Sequence, residues 1–374
     1  MKIGFVIDDH MGRPGGVQEY VRGLVHFVQR QGHEAVIFAG GGGGTGTERV
    51  VALGRSLPFR GSGSSSSLPL TWKRGRALRQ LLAREACDVL HVMAPYAPTL
   101  SGRLLVHSEA AHVLTLLVAL EPWWWRQALG ILAQAQWRSA RRFQARLAIS
   151  PIAAATGRAL YGGHYEIVPC GVDVQAFRPD VVPLAPWRDH KLNVLYVGRL
   201  EARKGVRHLL DAWALVQRQF PKLRLLVGGD GPERAALEAQ ATALALRDVV
   251  FLGYVSRQDL PALFAAADLF CAPATHAESF GIVLIEALAA GLPIVAAANQ
   301  GYRALLMQHP GNFIVPPGDA RALAGALATL LASPQARQMV GTRNARAAGR
   351  YDWDVVGAEV LAVYERIVGA RRKG

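Results

Sequence analysis

The chain is expected to fold as two α/β domains, each a doubly wound parallel sheet. Three observations carry that expectation. Its 374 residues exceed what one hydrophobic core usually holds. Short apolar runs alternate with segments of helical period along nearly the whole length. In the second half those runs are continuously apolar and rich in β-branched residues, as strands buried on both faces must be.

Taken in order, Lys2–Asp8 is expected to form the first strand. Gly12–Gly16 is a Gly/Pro loop, Val17–Gln31 has helical periodicity, and Ala35–Ala39 is a second strand. Gly40–Gly46 and Ser62–Ser67 are low-complexity stretches expected as loops. Strands follow at Asp88–Val92, His112–Leu117 and Arg146–Ser150. Three prolines between Pro179 and Pro186 mark a linker. Beyond it, Leu192–Gly198, Leu223–Val227, Val249–Leu252, Asp268–Cys271 and Pro293–Ala297 read as strands with helices between them. The boundaries are expected at 1–170 for the first domain, 171–190 for the linker and 191–353 for the second domain. A helix over about 354–374 is expected to pack back on the first domain.

An apolar fraction of 51% with 19% charged residues excludes a disordered chain. Cys87, Cys170 and Cys271 lie far apart with no C-x-x-C pair, which argues against a disulfide framework or a zinc site. Lys2–Asp8 reads as a strand and not as a secretory leader. The longest apolar run, near Leu116–Leu120, is far short of the ~20 residues a spanning helix needs. The formal charge of +14, almost all from arginine, favours anionic partners: nucleic acid, an anionic membrane or a phosphorylated substrate.

The most informative segment is His276–Leu288, a polar loop running into an apolar helix. Glu278 lies in the loop and Glu286 inside the apolar run. Eight residues advance about two helical turns, roughly 12 Å along the axis and ~80° around it. One carboxylate can stand at the mouth of a site and the other near its floor. Between them, the N–H groups of Ser279, Phe280 and Gly281 open a helix N-terminus suited to an anion. Acid, anion site and acid in a row suit a nucleotide-sugar, although a capped helix with one buried glutamate has the same spacing. Parallel sheets bind ligands at the C-terminal ends of their strands. The motif glutamates share that edge with Gly198-Arg199, Gly228–Pro232, Gly253-Tyr254 and Asn299–Gly301.

These stretches, with Pro14-Gly15-Gly16-Val17-Gln18, Asp88–His91, Ala94–Pro98, Arg199 to Gly205 and Arg350–Trp353, resemble the retaining glycosyltransferases of family 4. Glu278 and Glu286 match that family's E-x7-E motif. Within the family the chain looks closest to the phosphatidylinositol mannosyltransferases. The resemblance implies the GT-B fold, two Rossmann-like domains facing a cleft. It implies that Arg199 and Lys204 pin a diphosphate, a task suited to cations on a tight loop after a strand. Gly15 and Gly16 would let the backbone approach the donor phosphate, and Gln18 would face the cleft. Glu286 would accept from the ribose hydroxyls and Glu278 from the transferred sugar. Tyr254 and Val255 would border the base. No side chain is an obvious nucleophile for double displacement. The family picture is a same-face displacement in which Arg199, Lys204 and helix N-termini stabilise the leaving diphosphate. Neither a metal nor a cofactor beyond the donor is implied.

The acceptor half departs from the mannosyltransferase pattern. Leu117 stands where that pattern has a histidine, and Tyr96 replaces an asparagine. Phe59-Arg60 replaces Tyr-Asn, and a serine run including Ser65 replaces a basic loop. Transfer to phosphatidylinositol is therefore not expected to be efficient. Trp123, Trp124, Trp125 and Trp137, with Arg126, fit a helix lying in a membrane interface, or a packed helix with a solvated arginine face.

The expected function is transfer of a sugar, mannose from GDP-mannose, to a lipid or glycolipid hydroxyl. The expected setting is cytoplasmic and peripheral, on the anionic inner face of the cell membrane, with no nucleic-acid partner. A UDP-sugar enzyme with another acceptor and a non-catalytic nucleotide-sugar-binding protein are the alternatives. A nicotinamide dehydrogenase ranks below them, because Gly40–Gly46 lacks the G-x-G-x-x-G register.

Overall fold

The computed structural model describes residues 1–13, 15–41, 48–61, 64–70, 75–93, 100–118, 141–187 and 189–373, with backbone only at 55–61 and 64–70. The chain forms two compact units. One is Met1–Gly171 together with Trp353–Gly374; the other is Val172–Asp352.

The first unit is built on strands β1 (Lys2–His10), β2 (Glu34–Gly41), β3 (Val50–Ala52), β6 (Val89–Met93), β7 (Ala111–Leu116), β8 (Ala145–Ala148) and β9 (Glu166–Ile167). They form a parallel sheet in the order β3-β2-β1-β6-β7-β8-β9. The central strands are buried along their length, which is why their sequences run apolar without alternation. Between β3 and β6, residues 64–67 of the serine-rich stretch are strand and not loop, while 62 and 63 lie outside the described residues. An antiparallel hairpin of β4 (Arg55–Gly61) and β5 (Ser64–Leu70) pairs Phe59 with Ser66 and Arg60 with Ser65. The first strand also runs past its expected end at Asp8, because His10 pairs with Gly41 after a register shift. Asp8 then accepts from the Ser101 amide (2.9 Å) and hydroxyl (2.7 Å), tying β1 to the helix Leu100–His107. Ser150 is not strand; its hydroxyl caps the helix Pro151–Tyr161.

The helix Trp353–Lys373 completes this unit. The Trp353 indole lies in a slot floored by two glycines. A Cβ on Gly23 would stand 2.0 Å from it, and one on Gly171 2.4 Å. Farther along, Tyr364 meets Nδ1 of His91 at 2.5 Å, and Nε2 of His91 lies 2.6 Å from the Thr115 hydroxyl. Burial pushes His91 down to about 3. It also pushes His112 down to about 4, opposed by a backbone hydrogen bond at Arg142 and aided by the Arg142 and Arg371 charges.

The second unit holds β10 (Leu192–Val197), β11 (Leu223–Gly228), β12 (Val249–Gly253), β13 (Leu269–Ala272), β14 (Ile294–Ala297) and β15 (Phe313–Val315). All run parallel in the order β12-β11-β10-β13-β14-β15. The chain winds outward from β10 to β12, then returns to β13 and winds the other way. The point of reversal lies between β10 and β13, where an open α/β sheet leaves a crevice at its C-terminal edge. The stretch expected as linker, 171–190, belongs almost wholly to this unit. Phe177 is buried with its ring edge-on to Phe264 at 5.4 Å, and the Leu184 amide donates to the Ala262 carbonyl. Its prolines shape a packed strap. Among the described residues no helix is long and apolar enough to cross a membrane.

Gly23→Ala should destabilise the first unit despite helix propensity. Alanine gains about 1 kcal/mol in a helix, but the added methyl meets Trp353, and overpacking costs ~1–3 kcal/mol. Thermal unfolding should show a lower Tm; a higher one would mean the slot is loose. A second expectation concerns acid. His91 and His112 are neutral in the fold, whereas in the unfolded chain they protonate below their ordinary value of 6.5. Stability should therefore fall as pH drops below that value, by at most about 1.4 kcal/mol per pH unit for each histidine, levelling off only near the folded values. Urea titrations between pH 7 and 4.5 measure this, and a flat profile would show that these rings become solvated.

Candidate active site

Two loops meet at the reversal point of the second sheet. The first follows β10 and contains Arg199, Glu201, Arg203 and Lys204, the last two in a single turn of 3-10 helix. The second follows β13 and leads into the helix Ile282–Ala289. They are joined through backbone and side chain. Thr275 donates to the Arg203 carbonyl from its amide at 2.8 Å and its hydroxyl at 3.2 Å.

Glu278 lies where the loops touch. Its Oε1 accepts from Lys204 Nζ at 2.6 Å and from Arg203 Nη1 at 2.7 Å. Glu201, its side chain only 4% exposed, bridges Arg199 at 2.9 Å and Arg203 at 3.2 Å. Three cations and two carboxylates thus form one continuous ion network. The Tyr196 and Tyr302 hydroxyls are pushed up by burial and next by the Glu278 charge, so both phenols stay neutral under it. Tyr196 donates to the Arg199 carbonyl at 3.0 Å, which fixes the start of the first loop.

Ala277 has φ of +58°, a left-handed backbone that a residue with a side chain seldom adopts. Gly281 has φ of +101° and packs on the Tyr302 ring, so a Cβ there would meet the ring at 2.6 Å. These turns bring Ser279, Phe280 and Gly281 to the start of the helix that carries Glu286. Phe280 is buried edge-on to Tyr351, at the Arg350–Trp353 stretch. Glu286 is buried within the helix and ion-paired to Arg257. That arginine stacks over Phe177 at 5.1 Å. Tyr254 is exposed just beyond β12, with Val255 half-buried beside it.

In the first unit, Gly15 and Gly16 stand at the start of the helix Gly16–Arg30. Gly15 is extended, so its lack of a side chain serves space and not backbone freedom: a Cβ would meet the Gln18 amide at 2.4 Å. Gln18, expected to face the cleft, is engaged within its own unit. It is buried and donates to the Asp9 carboxylate (3.2 Å) and the His10 carbonyl (3.3 Å), which anchors the loop after β1. Leu117 is buried one residue past β7. Tyr96, Trp123, Trp124, Trp125 and Arg126 lie outside the described residues.

The Glycosyltransferase Family 4 profile matches residues 14–176, and the Glycosyl transferases group 1 profile matches residues 185–347. The phosphatidyl-myo-inositol mannosyltransferase of Mycobacterium leprae is 32% identical, across 100% of this chain and 99% of its own length. The chain belongs to glycosyltransferase family 4. The enzyme of the same name from Mycolicibacterium smegmatis is also 32% identical, over 99% of this chain and 95% of its own. Among solved structures, sucrose-phosphate synthase from Thermosynechococcus elongatus superposes with a TM-score of 0.78 at 22% identity, covering 99% of both chains. HepE of Anabaena, in complex with UDP and glucose, gives 0.77 at 22% identity, over 98% of this chain and all of its own. This glycosyltransferase therefore has the GT-B fold.

Of the residues singled out from sequence, Lys204 and Glu278 meet directly, and Arg199 joins them through Glu201 and Arg203. Glu286 is engaged separately by Arg257. Glu201, Arg203 and Arg257 were not singled out. Their only sequence signal is charge on loops already placed at the sheet edge.

Proposed function

We propose that this family 4 glycosyltransferase is a retaining enzyme that transfers mannose from GDP-mannose to a lipid hydroxyl at an anionic membrane surface. The observation that carries the donor site is the meeting of Lys204 and Arg203 on Glu278 at the reversal point of the sheet. In the proposed complex the diphosphate lies over the loop after β10 and the N–H groups of 279–281. Arg199 and Lys204 supply the positive charge, Glu278 takes hydroxyls of the sugar, and Glu286 takes those of the ribose.

In the reaction, the acceptor oxygen bonds the anomeric carbon on the face from which the diphosphate departs. The carbon–oxygen bond to phosphate breaks, and a diphosphate oxygen takes the acceptor proton. The protein's contribution is electrostatic: Arg199 and Lys204 would supply positive charge to the departing diphosphate. The buried tyrosines beneath the Glu278 carboxylate stay protonated.

A UDP-sugar donor is the second reading, supported by the likeness to HepE, solved with UDP and glucose. For the acceptor, the names of the full-length relatives favour phosphatidylinositol. Buried, apolar Leu117 weighs against a firm hold on a polyhydroxylated headgroup, because a leucine leaves such groups unpaired.

Transfer of radiolabelled sugar from GDP-mannose and UDP-glucose to phosphatidylinositol, diacylglycerol glycolipids and polyprenyl lipids tests the proposal. Transfer from GDP-mannose to a lipid other than phosphatidylinositol is expected; transfer from UDP-glucose alone would overturn the donor assignment. Glu286→Ala should weaken nucleotide binding by roughly 1.5–3 kcal/mol, the worth of a hydrogen bond to a charged group. Lys204→Ala should lower kcat more than it raises KM. Wild-type constants in both variants would remove the donor site from this edge.

A further inference from the structure

Arg203 and Lys204 are consecutive, and both bind the same oxygen of Glu278, yet the structure ties them down unequally. Lys204 reaches Glu278 with its ammonium and, among the described residues, with no second carboxylate. Arg203 is held on three sides. Its Nε donates to Glu201 at 3.2 Å, and its Nη1 donates to Glu278 at 2.7 Å and to the Ala277 carbonyl at 3.4 Å. Its side chain is 13% exposed, and its own carbonyl takes two bonds from Thr275. A guanidinium is a rigid planar fork, whereas an ammonium on a four-carbon stem can swing between partners.

Resting on the donor-site reading above, we propose that Arg203 is a positioning residue that holds the Glu278 carboxylate for the transferred sugar, while Lys204 is exchangeable and turns from Glu278 to the diphosphate when the donor arrives. The charge balance requires some such division. If Lys204 were the sole partner of Glu278, its departure would strand a carboxylate that is only 11% exposed, and an unpaired charge so placed is strongly disfavoured. Arg203 removes that obstacle by keeping one charge-assisted bond on Glu278 throughout. It also acts on the backbone: its bond to the Ala277 carbonyl braces the one left-handed residue that aims Glu278 out of the loop. Glu201 serves both cations. One oxygen holds Arg203 and the other holds Arg199, so the positioning residue and a phosphate-binding residue share one buried anchor.

The discriminating readout is the preference between a nucleoside diphosphate and the corresponding nucleotide-sugar. Calorimetric titration of the full chain with GDP, GDP-mannose, UDP and UDP-glucose measures it. Arg203→Ala should leave diphosphate binding within about threefold of wild type but shift the sugar-to-diphosphate affinity ratio by about tenfold against the sugar, as loss of one well-placed charged contact implies. Lys204→Ala should do the reverse, weakening the diphosphate itself. Arg203→Lys keeps the charge without the fork and should give an intermediate ratio. Arg203→Gln, which keeps a long polar side chain without the charge or the fork, should shift the ratio the same way and keeps the test decisive if Arg203→Ala does not fold. Equal loss of diphosphate and sugar-nucleotide binding in Arg203→Ala or Arg203→Gln would overturn the division of labour. A wild-type chain that binds none of the four ligands would instead overturn the donor-site reading on which it rests.

Discussion

A parallel sheet covered on both faces has no place for polar chemistry except at the ends of its strands. In both units the central strands are buried throughout and mostly apolar, so most ionisable side chains lie outside them. In the second unit the winding reverses between β10 and β13, so two such loops rise side by side with nothing crossing between them. Glu278 and Arg203 are 75 residues apart in sequence and share a hydrogen bond for that reason. Burial then dictates pairing. Glu201 and Glu286 are nearly inaccessible, and each is matched by an arginine reaching in from a more exposed position.

The first unit answers the same constraint differently. Several of its polar groups hold elements together. Asp8 anchors the helix after β6, Gln18 anchors the loop after β1, and His91 joins Thr115 on β7 to Tyr364 on the final helix.

The strands of the second sheet were legible because each is a continuous apolar run, and the E-x7-E helix because its loop and apolar core follow in order. The β4–β5 hairpin was not legible. Its serines carry no apolar alternation, and only pairing between neighbouring strands makes it a sheet. The strap taken for a linker misled for a related reason. Prolines signal a break in regular structure, but only Phe177 lying on Phe264 shows that the irregular chain is packed. At the site, the resemblance and the sheet edge pointed to Arg199, Lys204 and both motif glutamates, and the structure joins Lys204 to Glu278 directly. Glu201, Arg203 and Arg257 were not legible, since a charge in a turn is ordinarily solvated and its burial depends on a loop distant in sequence. Gln18 was expected to face the cleft, and its bonds to the Asp9 carboxylate and the His10 carbonyl had no signal in the sequence.

The second unit is one uninterrupted stretch whose ends lie together, the Val172 amide donating to the Tyr351 carbonyl at 2.8 Å. The first unit is interrupted by it and is completed only by the helix Trp353–Lys373. This imposes an order on biosynthesis. Domains fold as units while the chain emerges, and the second unit has all its parts before Trp353 and Tyr364 have been made. The nascent first unit must wait through that interval with the Gly23 slot empty and His91 lacking its tyrosine. The half of the enzyme translated first is the half that finishes folding last.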